Sequence, residues 1–191
     1  EKSMKKLAIF ASGSGSNALK IHEYFKKNNF AKIDCVLVNN PNSGIVKKAE
    51  KWDCKVIQIT KNNFHKDSNI SIQLLERGVD LIILAGFLWL IPDHLLSAFP
   101  QKIINIHPSL LPKYGGKGMY GLNVHQAVFN AKEIESGITI HTIDKEYDKG
   151  EIIFQQSISI KSCNSPEEIA DKILKIEHKN FAKTIHDYLK K

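Results

Sequence analysis

Short apolar runs separated by amphipathic segments constrain this chain more than any other feature. LAIFAS (7–12), CVLVNN (35–40), KVIQIT (55–60), DLIILAG (80–86) and KIINIHP (102–108) are brief and rich in β-branched residues. A strand with one face in water alternates polar and apolar residues. A strand that is apolar throughout is covered on both faces. The intervening stretches, NALKIHEYFKKN (17–28), IVKKAEKW (45–52), a segment around 68–77 and DHLLSAF (93–99), have helical spacing. Strand–helix alternation of this kind predicts a parallel sheet clad by helices, a doubly wound α/β fold.

The second half changes character. LNVHQAVFNA (122–131) reads as a helix, whereas GITIHTID (137–144) and EIIFQQSISI (151–160) alternate better and read as an antiparallel ribbon. A long C-terminal helix is predicted from 165. Ser165 caps it, Pro166 suits its first turn, and Glu168 stands three residues on from the cap in a capping box. With 191 residues and no linker, repeat or low-complexity stretch, one domain over 1–191 is expected, residues 1–3 being a remnant ahead of a start at Met4. The apolar run near the N-terminus is too short for a signal peptide, and none reaches the roughly 18–20 residues that span a bilayer. A cytoplasmic protein is therefore expected. Cys35, Cys54 and Cys163 are odd in number and widely spaced, which fits reduced thiols rather than disulfides or zinc. The net charge is +7, but the only arginine is Arg77. Base readout and bidentate phosphate clamping favour arginine, so no nucleic-acid partner is expected, nor a membrane. A diffuse positive field instead attracts small anions.

ASGSGSNA (11–18) joins the first strand to its helix. Gly13 and Gly15 permit a tight turn and close approach of a ligand, and the helix start supplies N–H groups and a positive dipole end. Gly13, Gly15 and Ala18 fit a relaxed dinucleotide fingerprint. That fingerprint needs an acidic residue at the end of the second strand, where this chain has Asn39 and Asn40. A single phosphate group is the better match, with a plain strand-to-helix turn as the alternative.

The fifth run ends in an unusual way. Pro108 forces His107 into an extended conformation, and Asn105, two residues earlier, faces the same side. An amide and an imidazole thus stand together at the carboxyl end of a buried strand, where open α/β sheets bind ligands. Downstream, DKEYDKGE (144–151) offers a run of carboxylates. Calcium is excluded, because an EF-hand loop begun at Asp144 would place Lys149 and Gln155 where glycine and glutamate are required. No metal spacing is present elsewhere. A carboxylate beside His107 would raise the imidazole pKa and orient the ring, which suits proton transfer or stabilisation of an oxyanion.

NIHPSLLPKY (105–114), YDKG (147–150) and SGSGSN (12–17) together resemble the folate-dependent formyltransferases, from about Lys5 to the last helix, and within them the branch that acts on phosphoribosylglycinamide. The resemblance implies a Rossmann-like formyltransferase fold. It implies transfer of a formyl group from N10-formyltetrahydrofolate, as co-substrate and without a metal, to the amine of 5′-phosphoribosylglycinamide in purine biosynthesis. By the same resemblance Asn105, His107 and Asp148 are catalytic. Gly15, Ser16, Asn17 and Glu177 bind the phosphoribosyl substrate. Lys66, Leu88, Trp89, Leu90, Ile91, Asn105, Asp144, Lys145, Glu146, Tyr147 and Asp148 lie on the folate side. Many members have arginine where this chain has Trp89, and another near Lys66. The segment GGKGMYGLNVH (115–125) is longer than in many bacterial members and reads as a lid or an altered substrate rim. Another folate-dependent formyl enzyme and a nucleotide-binding regulatory module are the alternatives; the second leaves Asn105, His107 and Asp148 without a role.

Overall fold

A computed structural model describes residues 4–146 and 148–191. Seven strands form one sheet in the order β3-β2-β1-β4-β5-β6-β7. The chain divides into two compact units, 1–104 and 105–191, with β5 (Ile103–His107) running across the boundary.

The first unit holds β1 (Lys5–Ala11), α1 (Ser16–Asn28), β2 (Ala31–Val38), α2 (Gly44–Ala49), β3 (Lys55–Gln58), α3 (Lys61–His65), α4 (Asn69–Glu76), β4 (Leu81–Leu84) and α5 (Asp93–Ala98). β1 pairs in parallel with β2 and β4, and β2 in parallel with β3. Leu7 to Ala11 and Leu81 to Leu84 are buried on both faces, the outcome their unbroken apolar sequence predicts. α1 buries Ala18, Ile21 and Phe25, spaced to form one stripe, and ends where Asn29 turns left-handed at φ 53° and returns its N–H to the Phe25 carbonyl. β2 begins four residues before the predicted strand, because Ala31 and Ile33 in AKID are buried and extend the ladder. α3 lies outside the predicted helices. Its signal is Thr60-x-x-Asn63, a reciprocal cap in which asparagine does the work usually given to glutamate. The single arginine closes this unit: Arg77 Nε donates to Asp34 Oδ2 at 2.6 Å, while Lys6 Nζ donates to the Arg77 carbonyl at 2.7 Å. Burial pushes the Cys35 thiol up to about 12 and the Cys54 thiol up to about 11, so both are protonated and inert.

The second unit holds the end of β5, α6 (Leu122–Asn130), β6 (Glu135–Thr142), β7 (Ile152–Ser159) and α7 (Pro166–Leu189). β6 and β7 are antiparallel. β7 alternates in exposure as predicted. β6 does not: from Ser136 to Thr142 it is buried throughout. In α7 the Ser165 hydroxyl accepts the Glu168 N–H, but the Glu168 carboxylate reaches past the cap residue to the Asn164 N–H at 2.8 Å. Among the described residues no helix is long and apolar enough to cross a membrane.

Candidate active site

The turn after β1 is shaped by Gly15. Its backbone is left-handed at φ 74°, and a Cβ there would lie 2.5 Å from Ile45 Cδ1. Gly15 therefore lets α2 pack beneath the loop. It caps α1 with no side-chain bond and no acidic residue in the first turn. The N–H groups of Ser16 and Asn17 thus open a helix N-terminus suited to an anion. Lys48 Nζ donates to the Ser14 carbonyl at 2.7 Å and sets a positive charge against the loop. Nothing in the sequence around Lys48 signals this.

The segment after β4 is stitched to the same turn: Ser12 N–H donates to the Gly86 carbonyl at 3.1 Å, and Leu88 N–H to Ser12 Oγ at 3.3 Å. Leu88 and Leu90 are exposed, whereas Ile91 is buried. Trp89 is half-buried against Phe64, His65 and Phe87, with ring centroids 5.7, 5.9 and 6.0 Å away. An indole at this place is half core and half surface. Lys66 is exposed at the end of α3.

In the second unit the catalytic candidates converge. His107 is 4% exposed, and its Nε2–H donates to the Tyr114 carbonyl at 2.8 Å. Its Nδ1 lies 3.6 Å from Asp148 Oδ1, and the other carboxylate oxygen accepts the Gly116 N–H at 2.9 Å. Asp148 adopts a left-handed backbone, φ 57°, and Gly115 has no Cβ because one would stand 3.3 Å from Asp148 Cβ and 2.5 Å from Leu111 Cδ2. A second histidine, absent from the residues expected of the sequence, completes the cluster. His141 Nδ1–H donates to the Thr142 carbonyl at 2.8 Å, and its Nε2 faces both Asn105 Nδ2 at 3.2 Å and Asp148 Oδ1 at 3.6 Å. The contact with Nε2 holds the Asn105 amide in place. Its signal in the sequence is only a histidine amid the apolar run ITIHTI.

The turn HPSLLPK, which contains a cis Leu111–Pro112 peptide, is anchored from below by Thr139. Its hydroxyl donates to the Ser109 carbonyl at 2.7 Å and accepts from Leu111 N–H and Gln155 Nε2 at 3.0 and 2.9 Å. The hydroxyl's one donor and two acceptor sites are all used.

The electrostatics reverse one expectation. Burial pushes the His107 pKa down; Asp148 and the Tyr114 carbonyl pull it up, His141 pushes it down again, and the net direction is below the ordinary value. The expected rise from Asp148 is present but burial outweighs it. For Asp148 burial pushes up, but His141, His107 and the Gly116 N–H pull its carboxyl below the ordinary range. Asp144, Lys145 and Glu146 are exposed in the turn, with Glu146 paired to Lys149. Tyr147 lies outside the described residues. Glu177 is buried on the packed face of α7.

A family model described as "Formyl transferase" matches residues 5–185. The chain belongs to the formyl transferase family. Within that family it is 38% identical over 187 residues to the chloroplastic phosphoribosylglycinamide formyltransferase of Arabidopsis thaliana, which covers 95% of this chain and 64% of that one. It is 36% identical over 191 residues to the phosphoribosylglycinamide formyltransferase of Bacillus subtilis, covering 97% and 95%. The chain thus spans less than two thirds of its plant relative and nearly all of its Bacillus relative. The crystal structure of phosphoribosylglycinamide formyltransferase from Bacillus halodurans matches with a TM-score of 0.88 at 31% identity, over 98% of this chain and 96% of that chain. Such a match over nearly the whole chain carries the formyl transferase fold to this protein.

Proposed function

We propose that this chain is a one-domain enzyme that transfers the formyl group of N10-formyltetrahydrofolate to the amine of 5′-phosphoribosylglycinamide. The reading implies a cytoplasmic reaction between two small molecules. It is carried by one observation: a buried histidine with an acceptor facing each ring nitrogen, beside an amide whose orientation is locked. Relatives bearing the corresponding name at 36–38% identity support the choice of substrates.

The substrate amine attacks the formyl carbon directly, so no covalent enzyme intermediate is needed. The new C–N bond forms as the carbonyl π pair moves onto oxygen. Asn105 donates an N–H to that oxygen. A protonated His107 stabilises the same negative charge by its own charge rather than by a donated bond, because both of its ring nitrogens already face acceptors. Asp148 opposes the pull of burial and so eases protonation of the ring as charge develops on the oxygen. The bond to N10 of the folate then breaks, and the surplus proton of the attacking nitrogen ends on N10. In the first unit the N–H groups of Gly15, Ser16 and Asn17, with Lys48 beside them, are the proposed holders of the phosphate. Also in the first unit, residues 88–91 and Lys66 are the proposed folate contacts. Proximity of the two substrates supplies much of the rate gain.

The test incubates the protein with N10-formyltetrahydrofolate and either glycinamide ribonucleotide or water alone, and follows release of tetrahydrofolate. Release that requires the ribonucleotide is expected. Release in water alone would replace the transferase by a hydrolase, and no turnover in either arm would end the proposal.

A further inference from the structure

We propose that Glu133 is a positioning residue for the reaction: through the Tyr114 hydroxyl it fixes the backbone carbonyl that receives the Nε2–H of His107. This inference rests on the catalytic role proposed for His107.

Tyr114 is a tyrosine in the left-handed region, φ 55°, a conformation that side-chain-bearing residues adopt at a cost and keep only where surroundings impose it. Tyr114 is only part-buried, beside an open pocket lined also by Leu110, Lys113, Val128, Glu133, Glu135 and Ser136. What holds the residue is polar. Its hydroxyl donates to Glu133 Oε1 at 2.8 Å, and the same oxygen accepts Lys113 Nζ at 3.2 Å. Ser109 Oγ donates to the Lys113 carbonyl at 2.7 Å, which ties the preceding peptide. Glu133 itself arrives in the turn after α6, where Lys132 is left-handed at φ 56° and the Glu133 N–H reaches back to the Val128 carbonyl. A carboxylate far along the chain thus sets the direction of one carbonyl, and that carbonyl points at His107.

The consequence is a matter of acceptor count. A neutral imidazole donates one hydrogen bond; an imidazolium donates two. His107 faces two acceptors, the Tyr114 carbonyl and Asp148, so the pair favours the charged ring. The other titratable groups facing His107 are His141 from β6 and His125 from α6. Around Glu133 they are Lys113 and Tyr114. Loss of the Tyr114 carbonyl from its place removes one acceptor and lowers the His107 pKa. Activity that needs the imidazolium is then kept below the new pKa and lost above it.

Glu133→Ala and Tyr114→Phe each break the hold without touching His107. In each, the alkaline limb of kcat is expected about one pH unit lower, giving roughly a tenfold loss at alkaline pH that closes toward acid pH. KM for both substrates is expected within about twofold of the parent, since the lost interaction acts at the transition state. Glu133→Gln keeps an acceptor oxygen for the tyrosine and should restore most of the profile. Nitrogen-15 NMR of the His107 ring in the free protein should report the proton on Nε2 in the parent and a lowered pKa with mixed tautomers in the two variants. This reading stands independently of which reaction is catalysed. An unshifted His107 pKa and tautomer in both folded variants would overturn the proposal. So would a rate loss equal at every pH.

Discussion

His107 sits where two demands conflict. Burial favours the neutral ring; Asp148 on one side and a carbonyl on the other favour the charged one. Asp148→Asn preserves the shape and an acceptor for Gly116 N–H but removes the charge, so kcat should fall by roughly 10²-fold or more while substrate affinity changes much less. His107→Asn should be similarly damaging. The double variant should be little worse than either single one if the residues act as a unit, and steady-state kinetics showing fully additive losses would separate them. Trp89 has a different kind of prediction. Its indole is half-exposed over Phe64 and Phe87, so a bound folate analogue should alter tryptophan fluorescence, and Trp89→Phe should abolish most of that change. Trp52, the only other tryptophan, stacks on His22 with centroids 4.7 Å apart and serves as the internal control. A signal that survives in the Trp89 variant would transfer the response to Trp52.

At the scale of elements, the loop after β1 is constrained by the helix packed beneath it. Gly15 illustrates this. Its left-handed backbone and the closeness of Ile45 both exclude a side chain, whereas a Cβ at Gly13 would meet nothing within 4 Å. Gly15→Ala should cost about 2 kcal/mol or more in thermal unfolding, and Gly13→Ala within about 0.5 kcal/mol. Equal effects would remove the packing argument. The turn was legible in the sequence, but the reason for its glycine was only half legible, since α2 beneath it is a tertiary neighbour. β1 and β4 could be read because two-sided burial leaves an unbroken apolar run; β3, expected to be buried on both faces, is instead an edge strand with no buried residue. β6 was read as alternating because Thr139 and His141 are polar; each is buried with its hydrogen bonds made, a pattern that periodicity cannot register. Asn105 and His107 were readable from strand spacing and Pro108. The acceptor at Tyr114 is a backbone atom and has no residue identity to read. The direction of the His107 shift was misread because local sequence gives the carboxylate but not the depth of burial.

For the molecule as a whole, acid should be the weak side. His125 on α6 is 5% exposed, its Nδ1 has no hydrogen-bond partner among the described residues, and burial with nearby His107 pushes its pKa down to about 4. The unfolded chain takes up that proton near pH 6.5 and the folded chain only near 4, so the stabilising difference is whole above about 6.5 and is lost as pH falls. The shift of His107 has the same sign. Urea unfolding should show stability about 2 kcal/mol lower at pH 5 than at pH 7.5 from His125 alone. His125→Leu, if folded, should flatten that difference. A parent protein equally stable at both pH values would contradict the burial of a neutral His125.

The glycines that meet other atoms closely have a consequence for how the chain tolerates change. A Cβ at Gly150 would overlap the Thr142 carbonyl, one at Gly137 the Gln156 carbonyl, and those at Gly15 and Gly115 would crowd Ile45 and Leu111. In a pooled library of every single substitution, scored once for abundance and once for turnover, these four positions should be blank in both scores. Asp148 and His107 should be blank in the second alone. The overlay of the two maps would then separate what the fold forbids from what the chemistry forbids.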